Sequence, residues 1–327
     1  MKIIKAGIIG GAGYTGGELI RLLLLHPFAE LSFVQSTSNG GKAISEVHTD
    51  LLGETTLSFS ENYSNDVDVL FLCGGHDAAR KFLTENTLPA QMAVIDLSQD
   101  LRHQNNNSIA DRTFIYGLPE LNREKIKTAK SIANPGCFAT AIELALLPLA
   151  AAGKLNSGIH INATTGSTGA GQALSDTTHF SWRDSNMSVY KAFVHQHVKE
   201  ITESLTSLQA NFDNEILFIP QRGNFTRGIL ASIYLDCALD LAEATELYQT
   251  YYCSNPFIRI SPTEIDIKQV INTNRCFLHL EKHGNKIFIT SVIDNLLKGS
   301  SGQALQNMNL MFAFEETSGL QLKPSVF

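Results

Sequence analysis

Short apolar runs that end in polar or glycine-rich turns recur through the first 135 residues. These runs are mostly apolar and no longer than a typical strand, and they lie at residues 6–9, 31–34, 67–73 and 92–97. Such continuous runs are typical of strands buried on both faces of a parallel sheet. Helical patterns follow at residues 18–25 and 77–84. Strands that alternate with helices predict an α/β fold with a doubly wound parallel sheet.

The pattern changes after residue 135. An apolar stretch at residues 138–149 predicts a long helix. Strand-like runs then follow one another with fewer helices between them, at residues 159–163, 215–219, 229–235 and 285–293. Strands that succeed one another in this way indicate an α+β domain built on a sheet. We therefore expect a second domain of the α+β class.

A glycine-rich loop joins the first predicted strand to the first predicted helix. Gly10, Gly13 and Gly16 form a variant of the dinucleotide fingerprint, in which the backbone approaches a pyrophosphate at a helix N-terminus. A strand before and a helix after are the context that this pattern requires. We predict a Rossmann-type nucleotide-binding fold in which Tyr14 and Thr15 also contact the cofactor. A glycine-rich turn without a ligand is the alternative.

The end of the second predicted strand bears on the choice of cofactor. NAD-preferring sites place an acidic residue about 20 positions past the fingerprint to bind the ribose. This chain instead has Ser36, Thr37 and Ser38, followed by Lys42. Hydroxyls and an ammonium group suit a 2′-phosphate, so the sequence favours NADP(H) over NAD. The alternative is a solvated polar loop.

The ends of the next two predicted strands add residues to the same crevice. Ligands of doubly wound sheets bind outside the carboxyl ends of the strands. Gly74 follows the third strand, and Ser98 and Arg102 follow the fourth. We expect Gly74 and Ser98 to contact the cofactor. Arg102 is either an anion contact, because a guanidinium group matches carboxylate or phosphate, or part of a surface salt bridge.

Cys137 is the candidate nucleophile. Pro135 and Gly136 interrupt the chain just before the long apolar helix, so the thiol should lie at a helix N-terminus. The free N–H groups and the helix dipole favour an anion there, and the thiolate is the reactive form of cysteine. The ordinary alternative for a single cysteine is a buried, inert thiol.

Two histidines in the second half are candidates for acid/base chemistry. His195 and His197 are two positions apart, so on a helix they face different directions and would not bind one metal ion together. Glu200 lies three residues after His197, on the same helical face, where it can orient the imidazole. Each histidine is otherwise structural. The earlier small-residue loop containing Gly166 and Gly169 is either a cofactor contact or a tight turn.

Composition narrows the class of partner. The 327 residues carry a net charge of −7 without a basic block, which argues against nucleic acid or an anionic membrane surface. Five cysteines without a C-x-x-C pattern fit a reduced, cytoplasmic chain with neither a disulfide framework nor a metal site. The chain opens on a strand-like run instead of a signal peptide, and no apolar stretch reaches membrane-spanning length. We expect a cytoplasmic protein that acts on a small molecule.

Several stretches of the chain together match one known family. They are GGAGYTGGEL from residue 10, IDLSQDLR from 95, YGLPE from 116, NPGCFAT from 134, TGSTGAG from 165, HQHVKE from 195, TRG from 226 and VIDNLLKGSSGQALQNMNL from 292. With these motifs in this order, the chain resembles the N-acyl-γ-glutamyl-phosphate reductases of arginine biosynthesis, which are related to aspartate-semialdehyde dehydrogenase. The resemblance spans essentially the whole chain.

The resemblance implies a reaction and roles for the candidate residues. It implies NADPH-dependent reduction of a small acyl phosphate to a semialdehyde, through a thioester on Cys137. His197 is then the acid/base group and Glu200 orients it. His195 is the competing candidate for that role, or it orients the nicotinamide.

The resemblance also implies a division of the chain. Residues 1–136 would form the NADP-binding Rossmann domain, completed by a C-terminal helix at 299–327, and residues 137–298 the catalytic substrate domain. Relatives are oligomers, so a homo-oligomer, either a dimer or a tetramer, is expected by analogy. The predicted substrate contacts are Arg102, Asn134, Arg222 and Arg227.

The chain departs from the family pattern in one place. It reads Pro220-Gln221-Arg222 where relatives usually carry Pro-His-Leu. An additional arginine near the substrate would match an additional carboxylate. The acyl group is therefore acetyl or a dicarboxylic group such as succinyl. The alternative is that Arg222 faces solvent.

Two other functions are compatible with part of this pattern. Aspartate-semialdehyde dehydrogenase uses the same cysteine, histidine and NADP chemistry, but the YGLPE and NPGCFAT motifs and the block at 292–310 favour the acyl-glutamyl family. A non-enzymatic NADP-binding sensor would keep the scaffold and lose Cys-dependent turnover. The presence of both Cys137 and His197 argues against a sensor.

Overall fold

The computed structural model describes residues 3–75 and 77–325. The chain divides into two compact units. The first is Met1–Pro135 with Ser300–Gln321, and the second is Gly136–Gly299 with Leu322–Phe327. The first unit therefore contains the glycine-rich loop, and the second contains Cys137 and both candidate histidines.

The strands of the first unit form a parallel sheet. They are β1 (Ile4–Ile9), β2 (Ala29–Gln35), β3 (Phe59–Ser60), β4 (Val69–Leu72), β5 (Ala93–Asp96), β6 (Ser108–Ile109), β7 (Arg112–Thr113), β8 (Ile115–Tyr116) and β9 (Ser131–Ala133). The sheet order is β3-β2-β1-β4-β5-β9-β8, while β6 and β7 form a separate hairpin. The order reverses beside β1, as in doubly wound nucleotide-binding folds, so the predicted fold class is confirmed for this unit.

Helices connect these strands. They are α1 (Tyr14–Leu24), α2 (Ile44–Val47), α3 (Ala78–Glu85) and α4 (Pro119–Thr128), with 3₁₀ turns at Thr49–Leu51 and Gln104–Asn106. The strand interiors are inaccessible to solvent on both faces, as the consecutive residues Leu70 and Phe71 of β4 show with 0% exposure each. This burial explains why the strand runs are continuously apolar.

The second unit is built on a mixed sheet. Its strands are β10 (Ile159–Thr165), β11 (Ser188–Val189), β12 (Ile216–Arg222), β13 (Ile229–Asp236), β14 (Ile258–Ser261), β15 (Cys276–His283) and β16 (Lys286–Ile293). Its helices are α5 (Cys137–Ala151), α6 (Phe180–Arg183), α7 (His197–Leu208) and α8 (Leu241–Tyr251), with 3₁₀ turns at Ser167–Ala170, Asp176–Thr178 and Ile267–Gln269. The sheet order is β11-β12-β10-β13-β16-β15-β14. The predicted α+β class is confirmed.

One face of this sheet is covered by helices. Helices α5, α7 and α8 pack against it, and β13 alternates accordingly. Ala231 and Ile233 are buried, whereas Ser232 and Tyr234 on the other face are half-buried. This alternation is the period of two that distinguishes a half-covered sheet from the parallel sheet of the first unit.

The C-terminal helix is shorter than predicted. A π-helical turn at Leu297–Ser301 leads into α9 (Gly302–Met311), which packs against α1 and α4 in the first unit. The prediction of one helix over residues 299–327 is therefore wrong in extent. Ala313 has a φ of 55° and the Phe314 N–H donates to the Asn309 carbonyl at 2.9 Å, the bonding that ends a helix. Val326 and Phe327 of that range lie outside the described residues.

Candidate active site

Cys137 is the first residue of α5. Gly136 is its N-cap and supplies no side-chain cap, so the first N–H groups of the helix depend on other partners. The rest of α5 is mostly apolar and is buried from Phe138 to Ala150, while Cys137 itself is only half-buried. Burial of the helix body fixes α5 in the unit and leaves the thiol at its N-terminal end.

Glu200 links α7 to the start of α5. The Gly136 backbone N–H donates to Glu200 Oε2 at 2.9 Å, and Glu200 Oε1 lies 3.8 Å from His197 Nε2. Glu200 is only 3% exposed. Helix α7 therefore presents a buried carboxylate to both the Gly136 N–H and the His197 imidazole. The spacing of three residues does place Glu200 on the same helical face as His197.

His195 is held as a neutral imidazole. Its Nδ1 accepts a hydrogen bond from the His197 backbone N–H at 3.2 Å, so that nitrogen carries no proton. Burial, and after it the neighbouring His197 and Lys191, lower the pKa of His195 to about 3. The two imidazole rings meet edge to face, with centroids 4.6 Å apart. At neutral pH His195 is therefore uncharged, accepts at Nδ1 and keeps its single ring proton on Nε2.

Aromatic rings enclose the two imidazoles. Phe138 meets His195 and His197 with centroids 5.6 and 6.2 Å away, and Phe218 lies 5.4 Å from His195. Tyr190 meets His195 from another side at 5.7 Å. This apolar surround accounts for the burial that keeps His195 uncharged.

Tyr190 connects this cluster to an arginine. The guanidinium carbon of Arg222 lies 4.8 Å over the Tyr190 ring. Burial, with a contribution from a thiolate charge on Cys137, raises the pKa of Tyr190 to about 12, and Arg222 opposes the shift. The Tyr190 hydroxyl therefore lies within electrostatic reach of both Cys137 and Arg222.

Arg227, another predicted substrate contact, is engaged inside the unit. Its guanidinium group makes a bidentate salt bridge to Asp294, with Nε and Nη2 at 3.1 and 3.2 Å from the two carboxylate oxygens. Asp294 is fully buried, and Asn295 beside it accepts from the Gly228 N–H at 2.7 Å. These contacts fix the turn that follows β16.

That turn brings Gly299 against the nucleophile. A Cβ atom on Gly299 would lie 2.8 Å from Cys137 Cβ and 3.2 Å from Cys137 Cα. The Gly299 N–H donates to the Asp294 carbonyl at 2.9 Å, the five-residue bond of a π turn. Glycine is required here because the backbone itself packs on Cys137.

The other two predicted substrate contacts lie in the first unit. Asn134 is 1% exposed, its amide donates to the Ser300 carbonyl at 3.0 Å, and Asn307 donates to its oxygen at 3.1 Å. Arg102 donates to the Leu97 carbonyl at 3.3 Å. Its charge also lowers the pKa of Asp96, which burial raises to about 6 overall.

The glycine-rich loop has the close approaches that its sequence predicts. A Cβ atom on Gly10 would lie 3.1 Å from the Gly74 nitrogen, and one on Gly16 would lie 2.4 Å from the Gly11 carbonyl oxygen. Gly10 also has a φ of 74°. A Cβ atom on Gly13 would meet nothing within 4 Å, so this residue borders open space at the N-terminus of α1.

Tyr14 and Thr15 are the first two residues of α1, and this end of the helix has no side-chain cap and no acidic residue in its first turn. The early N–H groups of a helix have no partner within it, and they attract anions. Together with the space beside Gly13, this helix end has the donors and the room for a pyrophosphate. The predicted cofactor residues of this loop therefore fit a dinucleotide.

Ser36, Thr37 and Ser38 follow β2 directly. Ser36 is buried and its hydroxyl lies 3.5 Å from that of Ser38. Gln35 Nε2 donates to the Thr37 hydroxyl at 3.2 Å, and the Gln35 carbonyl accepts from the Gly10 N–H at 3.0 Å. These hydroxyls therefore lie beside the glycine-rich loop, with no carboxylate among them.

Ser98, Gly166 and Gly169 complete the predicted cofactor contacts. The Ser98 hydroxyl donates to Asp96 Oδ2 at 2.9 Å. Gly166 and Gly169 lie in the second unit, and a Cβ atom on Gly166 would lie 2.5 Å from the Thr226 carbonyl oxygen. The absence of a side chain at Gly166 is thus already required by packing inside that unit. A cofactor contact by either glycine stays a prediction.

Over residues 3–75 and 77–325, no group of three His, Cys, Asp or Glu side chains is placed to hold a metal ion. No helix in those residues is long and apolar enough to cross a membrane.

Comparisons with known proteins identify the family. Residues 5–129 match the semialdehyde dehydrogenase NAD-binding domain, and residues 137–295 match the semialdehyde dehydrogenase dimerisation domain. N-acetyl-gamma-glutamyl-phosphate reductases from Flavobacterium johnsoniae and Bacteroides fragilis are 54% and 56% identical to this chain, each over 99% of it and 100% of the relative. This chain belongs to the N-acetyl-gamma-glutamyl-phosphate reductase family.

Solved structures agree with this family at the level of the fold. Aspartate semialdehyde dehydrogenase II from Vibrio cholerae superimposes with a TM-score of 0.75 at 16% identity, covering 96% of this chain and 99% of that one. The Candida albicans aspartate semialdehyde dehydrogenase with NADP gives a TM-score of 0.67 at 16% identity, covering 95% and 99%. The N-acetyl-gamma-glutamyl-phosphate reductase family thus shares its fold with these dehydrogenases.

Sequence reasoning missed three residues of the candidate site. Arg183 ends the four-residue helix α6, and Tyr190 follows the two-residue strand β11. Both elements are too short to show a periodicity, so no local pattern indicated these residues. Gly299 lies where the sequence predicts the start of the C-terminal helix, and its contact with Cys137 depends on the π turn. A glycine between two helical stretches was the one available signal.

Proposed function

We propose that this member of the N-acetyl-gamma-glutamyl-phosphate reductase family reduces an N-acyl-γ-glutamyl phosphate to the N-acyl-glutamate 5-semialdehyde and phosphate, with NADPH as reductant, in arginine biosynthesis. The observation that carries the proposal is the linkage of Cys137, Glu200 and His197. The backbone N–H of Gly136, the residue directly before the thiol at the helix N-terminus, and the His197 imidazole both face one buried carboxylate, that of Glu200. This is the arrangement of an activated nucleophile with an oriented base.

The first half of the reaction forms a thioester. His197 accepts the thiol proton, and the Cys137 thiolate attacks the γ-carbonyl carbon of the acyl phosphate. The carbon–oxygen bond to phosphate breaks, and phosphate leaves with the electron pair and receives the proton from His197. The N-terminus of α5 stabilises the sulfur anion before attack.

The second half releases the aldehyde. NADPH, when bound, supplies the hydride that a thioester carbon accepts. After phosphate has left, His197 takes up one proton from solvent. It donates this proton to the oxygen anion of the resulting thiohemiacetal, and it takes the proton back as the carbon–sulfur bond breaks. Cys137 leaves as the thiolate, so the nucleophile is regenerated. Acid/base catalysis of this kind contributes about 10²- to 10⁴-fold.

His197 is favoured over His195 as the acid/base group. His195 uses Nδ1 to accept from the backbone, and its pKa of about 3 keeps it from forming the imidazolium that a general acid needs at neutral pH. His197 lies beside the Glu200 carboxylate, which stabilises the imidazolium that forms when the thiol proton is taken. We assign His195 to orienting its neighbour.

The first unit holds the cofactor in this proposal. The N-terminus of α1 beside Gly13 would hold the pyrophosphate, and Ser36, Ser38 and Lys42 would receive a 2′-phosphate. The match of residues 5–129 to an NAD-binding domain supports this placement. Asn134 and Arg227 hold their own elements in place, because their polar groups are engaged with Ser300, Asn307 and Asp294.

We further propose a cytoplasmic homo-oligomer that pairs through the open face of the second sheet. The stacked rings of His160 and Tyr234, 4.7 Å apart, form a partly exposed surface there, and the matched family is a dimerisation domain. Tyr234→Glu should lower the molar mass measured by light scattering, whereas Thr250→Glu on the exposed side of α8 should not. An unchanged mass for Tyr234→Glu would exclude this face.

The proposed function is tested by following NADPH oxidation with N-acetyl- and N-succinyl-γ-glutamyl phosphate, and the reverse reaction with semialdehyde, phosphate and NADP. Cys137→Ser should abolish turnover while NADPH affinity stays within about twofold, because the thiol is needed only for the covalent step. Cys253→Ser, at an exposed thiol of the same unit, is the matched control and should keep full activity. Turnover by Cys137→Ser, or loss of its NADPH binding, would refute the assignment.

An aspartate-semialdehyde dehydrogenase activity is the second candidate, and the same assay separates it. Structures of that enzyme share the fold at 16% identity, which carries no information on the substrate. Turnover with aspartate semialdehyde, and none with either glutamyl substrate, would favour it. NADPH binding without turnover on any of these compounds would instead favour a non-enzymatic sensor.

A further inference from the structure

Two arginine side chains converge at the end of β12. Arg222 is the last residue of β12, and Arg183 is the last residue of α6. Arg183 Nη1 donates to the carbonyl of Gly223, the residue next to Arg222, at 3.1 Å. Burial, and after it the charge of Arg222, lower the pKa of the Arg183 guanidinium. The two cations are therefore neighbours that repel one another.

Neither cation has a counter-ion among the described residues. The salt bridges of residues 3–75 and 77–325 include no carboxylate paired with Arg183 or Arg222. The Nε atoms of both are buried without a hydrogen-bond partner there. Arg227 in the same unit shows the contrast, because its guanidinium fork is filled by Asp294. Adjacent guanidinium groups with unused donors are a site for an anion.

One aromatic ring, that of Tyr190, separates the arginine pair from His195. Arg222 covers the Tyr190 ring at 4.8 Å, and that ring packs on His195 at 5.7 Å. A phosphate bonded to the carbon that Cys137 attacks must sit beside the thiol. A carboxylate several bonds further along the substrate would instead reach past Tyr190. The separation thus selects a carboxylate over the departing phosphate.

We propose that Arg183 and Arg222 form a carboxylate-binding subsite for the N-acyl-glutamyl part of the substrate. This inference rests on the proposed function and names the residues that set its substrate specificity. The carboxylate is either the α-carboxylate, which every such substrate has, or a second carboxylate at the end of a dicarboxylic acyl group. The planar fork of arginine suits both.

The test is steady-state kinetics of the reverse reaction with N-acetyl- and N-succinyl-glutamate semialdehyde. Arg222→Leu and Arg183→Leu should each raise KM for the semialdehyde by about tenfold or more, since each removes charge-assisted hydrogen bonds. The KM for phosphate and for NADP should stay within about twofold. Arg222→Lys and Arg183→Lys should restore part of the affinity, because they keep the charge without the fork.

Arg259→Leu is the matched control. It removes one cation from an exposed position on β14 of the same unit, so it tests for a general effect of charge. Its KM values should equal those of the unaltered enzyme. Melting curves show whether a leucine variant has folded; where one has not, the lysine variant carries the test.

The outcomes separate the sources of the carboxylate. An equal rise in KM for both semialdehydes indicates the α-carboxylate. A rise in KM for the succinyl compound alone indicates the acyl carboxylate. Either result supports the subsite. A rise in the KM for phosphate, or no rise in any KM, overturns it. If the unaltered enzyme turns over neither compound, the proposed function fails. Calorimetric binding of N-succinylglutamate then tests the subsite alone, and equal affinity in Arg222→Leu would refute it.

Discussion

Glu200 accepts a hydrogen bond from the Gly136 backbone N–H at 2.9 Å, one residue before the nucleophile. The same carboxylate faces the His197 imidazole at 3.8 Å. Glu200 thereby ties the N-terminus of α5 to the first turn of α7. The two reacting groups of the candidate site come from different helices, and this buried side chain sets their separation.

Removal of the Glu200 charge should reduce kcat strongly and should change the free energy of unfolding little. Glu200→Gln retains an acceptor for Gly136 but loses the carboxylate beside His197, so we expect kcat to fall about 10²-fold with little change in KM. Glu200→Ala also leaves a buried N–H without a partner, which costs about 1–3 kcal/mol of unfolding free energy. Steady-state kinetics and urea unfolding measure the two effects.

Glu246→Gln is the control for Glu200→Gln. Glu246 is exposed on α8, and its replacement removes one carboxylate from the same unit. Both its kcat and its stability should match those of the unaltered enzyme. Equal kcat values for Glu200→Gln and Glu246→Gln would show that the link between α5 and α7 has no catalytic importance.

Gly299 should tolerate no side chain. In Gly299→Ala the new methyl group would lie 2.8 Å from Cys137 Cβ, so either the nucleophile or the π turn must move. A displacement of about 1 Å at a reacting group costs about 10²-fold in rate. We expect that loss in kcat, together with slower alkylation of Cys137 by iodoacetamide, measured on the Cys137 peptide by mass spectrometry.

Gly158→Ala provides the comparison for Gly299→Ala. A Cβ atom on Gly158 would meet only the Glu215 carbonyl oxygen, at 3.9 Å, which is an ordinary contact. This variant should keep both kcat and the alkylation rate. If Gly299→Ala also kept both, the close approach of the turn to Cys137 would not position the thiol.

The sequence predicted the elements that depend on local pattern. The apolar run at residues 67–73 marks β4, and the apolar run at residues 138–149 marks α5, because burial on all sides leaves a continuous apolar signal. The three-residue spacing placed Glu200 beside His197 because both residues lie in one helix. Periodicity and spacing are sufficient to predict a contact where both residues lie in the same helix or strand.

Contacts between distant segments were beyond such reasoning. Arg183 meets Gly223 across 40 positions, and α7 and β12 lie between the two residues, so no local pattern relates them. The approach of Gly299 to Cys137 depends on a π turn that Asp294 and Arg227 stabilise. The end of α9 could not be predicted because Ala313 adopts a positive φ, a conformation that glycine indicates in a sequence and alanine does not.

The hydroxyls after β2 should set the preference for NADP. In Ser36→Asp a carboxylate replaces a hydroxyl beside the glycine-rich loop and would repel a 2′-phosphate, so the Kd for NADPH should rise about 10-fold or more. The Kd for NADH should change less. Fluorescence titration of both cofactors measures the ratio. Asn65→Asp adds the same charge in the exposed loop before β4 and should leave both Kd values unchanged.

His195 should make the stability of the protein fall in acid. Its pKa is lowered from 6.5 to about 3, chiefly by burial. Between these values the unfolded chain binds a proton that the folded chain does not, so the free energy of unfolding is highest above pH 6.5 and decreases as the pH falls towards 3. The contribution of one such group is at most about 1.4 kcal/mol per pH unit.

His195→Asn should flatten this dependence. Asparagine can accept from the His197 N–H through its side-chain oxygen and cannot take up a proton in this range. Urea unfolding at fixed protein concentration, from pH 7.5 to 4, should therefore show a smaller loss of stability in His195→Asn than in the unaltered protein. His26→Asn should act independently in the same direction, because burial also lowers the pKa of His26. Parallel curves for His195→Asn and the unaltered protein would mean that His195 is protonated in the folded state, and it would then be restored as a candidate for the acid.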